Sequence, residues 1–86
     1  MANYYVICGI GYIPYKFPSK EIAEKHAKIS YYDGEPYKIV EGEEAFREEY
    51  LREYEKFSGK NSSDARAIKN DKKWNRFISG FPLITD

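Results

Sequence analysis

The chain is short of almost everything that catalysis and metal binding require. It has one cysteine and one histidine in 86 residues. Cys8 alone cannot form an intramolecular disulfide, which points to a reducing, cytoplasmic setting. Cys8 and His26 together are too few for a structural zinc site. Net charge is absent too, with 14 basic and 14 acidic side chains. Nonspecific adhesion to nucleic acid or to anionic lipid therefore has no excess charge behind it. No run approaches the roughly 18 apolar residues of a membrane span. Met1-Ala2-Asn3 offers neither the basic flank nor the apolar stretch of a signal peptide, so none is expected. Neither metal nor cofactor is expected.

Aromatic residues are plentiful: nine tyrosines, five phenylalanines and one tryptophan. Tyrosine combines a large rigid ring with a polar tip, which suits half-buried sheets and binding surfaces alike. The clearest pattern is Phe46, Tyr50, Tyr54 and Phe57, at offsets of 4, 4 and 3, with Leu51 beside them. That spacing predicts a helix over Glu43 to Phe57 with an aromatic stripe facing the core. Its other face carries Glu43, Glu44, Glu48, Glu49, Glu53 and Glu55, relieved by Arg47, Arg52 and Lys56, with Glu48 and Arg52 placed for an i,i+4 pair.

The residues before that helix read as a small sheet. Asn3 to Cys8 is a strand apolar on both faces, Tyr4, Val6 and Cys8 against Tyr5 and Ile7. Gly9-Ile10-Gly11 supplies a tight turn, and Tyr12 to Phe17 returns antiparallel, with Pro14 marking a sheet edge or a bulge. Pro18-Ser19-Lys20-Glu21 starts a helix whose apolar side is Ile22, Ala23, His26, Ala27, Ile29 and Ser30. Tyr31 to Pro36 is a loop, and Tyr37 to Val40 is a third strand. Gly59 ends the aromatic helix. Ser62 or Ser63 with Asp64 then caps a third helix to Ile78, with Ala67, Ile68, Trp74, Phe77 and Ile78 inward. Phe81-Pro82-Leu83-Ile84 is an apolar tail that needs a dock, on this chain or on a second copy as a homodimer.

The expected fold is α+β: a three-stranded, mostly antiparallel sheet and three helices in ββαβαα order. One domain is expected over 1–86, with a ββαβα core at 1–58, a connector at 59–63, and the third helix and tail at 64–86. The order strand, strand, helix, strand, helix, with Tyr4-Tyr5-Val6, Gly9 and Tyr37-Lys38-Ile39-Val40 leading into Glu43-Glu44-Ala45-Phe46, resembles the hybrid-binding domain found ahead of ribonuclease H enzymes. The resemblance covers Tyr4 to about Leu51. It implies a small three-stranded sheet with two helices and a surface for double-stranded RNA or RNA:DNA hybrid.

No nucleophile and base, carboxylate pair or metal set stands out, so no catalytic residue and no enzyme activity are expected. Charge is segregated along the chain instead. Glu41 to Glu55 holds seven glutamates against two arginines, while Lys56 to Arg76 holds seven basic residues against two aspartates. The first expectation is a small inhibitor, adaptor or regulator that binds another protein. Its candidate contacts are Tyr31 and Tyr32 at the loop and Glu48, Glu49 and Glu53 on the acidic face. A row of glutamates can imitate nucleic-acid phosphates in a basic cleft, as small phage-encoded inhibitors do. The alternative is a nucleic-acid surface on the third helix, where Lys69, Lys72, Lys73 and Arg76 share one broad side and Trp74 lies close by for stacking.

Overall fold

In the computed structural model, which describes residues 2–85, the strand β1 (Tyr4–Cys8) lies between β2 (Gly11–Tyr12) and β3 (Lys38–Glu41), antiparallel to both. A strand apolar on both faces belongs at the centre of a covered sheet, and β1 is placed there. Tyr5 and Ile7 face one apolar cluster, Tyr4 and Val6 the other. The return strand is shorter than expected. Its regular pairing ends at Tyr12, the Ile13 N–H gives a last bond to the Val6 carbonyl at 3.0 Å, Tyr15 N–H turns back to the Ile13 carbonyl at 2.8 Å, and Phe17 then exchanges both backbone bonds with Tyr4. Pro14, with no N–H to give, sits inside that bulge.

The helix α1 (Lys20–Ser30) covers the Val6 face. Ser19 accepts the Ile22 N–H and caps it, and Ala23 and Ala27 let the helix lie close on β1 and β3. Ile29 does not join this apolar side; it is 77% exposed. It follows Ala27 by two residues, about 200° around the helix, and so points away from the sheet.

The opposite face is covered by α2 (Glu43–Ser58), α3 (Ser63–Lys69) and α4 (Asp71–Ser79). Gly42, at φ 92°, makes the sharp passage from β3 into α2. Phe46 stacks on Tyr5 with ring centroids 4.9 Å apart, and Tyr12 stands edge-on to Tyr50 at 5.3 Å. The stripe outruns the sheet, however. α2 is about 24 Å long against about 17 Å for β1, so only its first turns lie over strands. Phe46 and Tyr50 are buried, Tyr54 is half-buried, and Phe57 is 70% exposed.

The expected third helix is two helices, making the order ββαβααα. Asn70 closes the first, its N–H donating to the carbonyls of Arg66 and Ala67, and opens the second by accepting the Lys73 N–H on Oδ1 at 3.0 Å. The reason is geometric. In one continuous helix Ile68 and Trp74 would point roughly 120° apart, and the break lets both reach the same core. Arg47 fastens this layer to α2, donating from Nε to the Ile68 carbonyl at 3.0 Å and from Nη2 to Asp71 at 2.8 Å. The tail docks on its own chain. Phe81 fills the α2-side core, while the backbone of Lys16 bonds Pro82 and Ile84, each at 2.9 Å. Leu83 remains half exposed.

Candidate interaction site

Where α2 overhangs the sheet, its outer aromatics need support from elsewhere, and α3 and α4 provide it incompletely. A cleft of about 170 Å³ remains between Tyr50 and Tyr54 of α2, Ala67 of α3, and Trp74 and Phe77 of α4. Tyr50 and Phe77 are nearly parallel, 5.9 Å apart at 6°, whereas Tyr54 stands at 86° to Tyr50. Trp74 tilts against Phe77 at 5.3 Å. The walls are thus rings set at several angles around a common volume. Burial, followed by a hydrogen bond with Tyr54, pushes the Tyr50 phenol far above its ordinary range. That hydroxyl stays protonated at neutral pH and serves as a hydrogen-bonding group, not as a base.

Besides the two tyrosine hydroxyls, the lining holds two charged groups. Asp64 lies on the α3 side and Lys73 on the α4 side. From Lys73, Arg76 and Lys72 follow around α4 at about 60° and 100°, so a basic strip borders the cleft. All three are exposed, and none has an ion-pair partner among the described residues. On the α2 side, exposed Phe57 stands edge-on to Tyr54 at 6.5 Å and extends the aromatic surface outward.

The sequence candidates fall into separate places. Tyr31 is half-buried and stacked on Tyr37 at 5.8 Å, whereas Tyr32 is 83% exposed and shares the far end of α1 with Ile29. Glu48 is exposed with no ion-pair partner among the described residues, but Glu49 is tied to Lys38 at 2.7 Å and to Arg52, and Glu53 to Lys56. The pair expected between Glu48 and Arg52 forms from Glu49 instead. The hydrogen bond from Lys38 holds the Glu49 carboxyl below its ordinary range, and only 12% of that side chain is exposed. Lys69 belongs to α3 and pairs with Glu55 at 3.4 Å, apart from the strip on α4. Trp74 is a core residue, 2% exposed, with its Nε1–H given to Glu43 at 3.1 Å and Arg47 over its ring. Its ring is not open to a stacking base.

The sequence reading favoured a core role for the whole stripe, Tyr54 and Phe57 included, and gave Asp64 only a capping role. Their distance from the end of the sheet was the missing information. Elsewhere, His26 packs on Phe17 at 5.1 Å, and burial with Glu35 nearby pushes the Cys8 thiol up. No three metal-ligating side chains converge among the described residues, and no helix there is long and apolar enough to cross a membrane. No family model, curated protein or solved structure matches the chain. The likeness to the hybrid-binding domain stays one of element order.

Proposed function

We propose that this is a small non-enzymatic protein of the inhibitor, adaptor or regulator type, which acts by binding another protein through the α2/α3/α4 cleft. One observation carries the reading: a ring-walled cleft left open at the surface, lined by Lys73 on one side and by Tyr54, against which exposed Phe57 stands, on the other. Aromatic anchors in pockets, surrounded by a charged rim, are where protein interfaces concentrate their binding free energy. The acidic face is a weaker candidate, because Glu49 and Glu53 already have internal partners. A cytoplasmic location fits the lone thiol.

The second reading, a nucleic-acid surface on α4, is supported by exposed Lys72, Lys73 and Arg76. It lacks the stacking Trp74, and three cations against a neutral chain give a modest phosphate attraction. Affinity capture from a lysate of cells that express the protein, with and without nuclease, separates the two. A protein retained after nuclease by the wild type and lost by Phe57→Ser supports the first reading. Capture that disappears with nuclease and with Lys72→Gln/Lys73→Gln supports the second.

A further inference from the structure

From the pairing of cleft and basic strip we infer the chemistry of the partner: an acidic peptide segment carrying one single-ring aromatic side chain, the ring seated in the cleft and the carboxylates on Lys73, Arg76 and Lys72. The inference rests on the protein-binding reading above and specifies its partner.

Size decides the anchor. An apolar cavity of about 150 Å³ holds one benzene ring, and the cleft here is about 170 Å³. A Phe or Tyr ring is accommodated with little space left over. Rings set nearly at right angles, as Tyr54 is to Tyr50, offer an incoming ring both edge-to-face and offset-stacked contact. Charge decides what flanks the anchor. Several charges around the aromatic helix are answered internally: Glu49 by Lys38 and Arg52, Glu53 by Lys56, Glu55 by Lys69, Asp71 by Arg47. Lys72, Lys73 and Arg76 have no ion-pair partner among the described residues and stand beside this aromatic cleft. Asp64 on the opposite wall repels further carboxylates, so the acidic residues lie on the α4 side of the anchor, which gives the segment a direction.

A nucleic acid would also meet the cations, but each phosphate comes with a base, and Asp64 and the neutral chain disfavour a continuous polyanion. A peptide can place its carboxylates on one side only.

The test is selection of peptides from a random display library against the full chain, followed by titration of the selected peptides and of an oligothymidylate. Trp74, the only tryptophan, is the fluorescent reporter within the cleft. The expected peptides carry one Phe or Tyr beside Asp or Glu and shift Trp74 emission. Replacing their aromatic with Ala weakens binding at least about tenfold. Lys72→Gln/Lys73→Gln/Arg76→Gln, all surface changes that leave the fold intact, weakens it about tenfold and flattens its salt dependence. Peptides that shift Trp74 yet lack acidic residues, or ignore the triple variant, overturn this inference and leave the protein-binding reading standing. Failure to select any peptide that moves Trp74 or depends on Phe57 overturns both. Oligothymidylate binding more tightly than every peptide, and lost in the triple variant, overturns both in favour of nucleic acid.

Discussion

The indole Nε1–H of Trp74 donates to the Glu43 carboxylate at 3.1 Å, joining α4 to the first turn of α2. Glu43 therefore has two duties, since an anion in a first helical turn also complements the helix dipole. Glu43→Ala leaves a buried indole donor unsatisfied, and a loss of about 1–3 kcal/mol in urea unfolding is expected. Glu43→Gln keeps an acceptor and loses less. Equal destabilisation by the two would show that the hydrogen bond contributes nothing.

Two phenylalanines of the same stripe should answer oppositely to truncation. Phe46 is fully buried against Tyr5 and Trp74, and Phe46→Ala is expected to cost about 3–5 kcal/mol. Phe57→Ala lies beyond the sheet and should change stability by no more than about 0.5 kcal/mol. Urea denaturation of both variants decides it, and a large loss at Phe57 would mean that the end of α2 is covered in solution.

Stability should fall in acid partly through Glu49. Its carboxyl is held below its ordinary 4.5 in the folded chain, first by the hydrogen bond from Lys38. The unfolded chain thus binds this proton more tightly. The resulting stabilisation is complete above the ordinary glutamate value and disappears as pH drops through it toward the folded value. Glu49→Gln should be less stable than wild type at neutral pH and converge with it in acid. Parallel curves for the two proteins at every pH would contradict this assignment.

Asn70 serves two helix ends at once. Asn70→Ala removes the side-chain acceptor that caps α4 and should cost about 0.5–2 kcal/mol. Circular dichroism gives a further check. If the break is set by the core demands of Ile68 and Trp74, the variant loses helix signal on heating earlier and does not gain a longer helix.

Local rules were readable wherever one segment decided the outcome. Ser19 caps α1 as expected, of the two serines offered for the next cap Ser62 takes it, and β1, apolar on both faces, lies at the centre of the sheet. What could not be read depended on reach and competition between segments. Periodicity gave the direction in which Tyr54 and Phe57 point, but not where the sheet beneath them stops. Arg52 had Glu48 one turn before it and Glu49 three residues before it. Lys38, on the preceding strand β3, holds Glu49 in place, and Arg52 pairs there. The Asn70-Asp71 dipeptide carried a capping signal that the longer apolar period of the third helix obscured.

Tyr4-Tyr5-Val6-Ile7-Cys8 is an uncharged, strand-prone run, and its cover arrives late. One face waits for α1, the other for α2, α4 and Phe81, and its longest pairing waits for β3. On a growing nascent chain this segment emerges before α1, β3, α2 and α4, with its hydrogen-bonding edges and both apolar surfaces bare until they follow. Such runs are the ones that associate with one another or recruit chaperones before folding is complete. In the folded protein β1 is the best shielded element; during biosynthesis it is the most vulnerable.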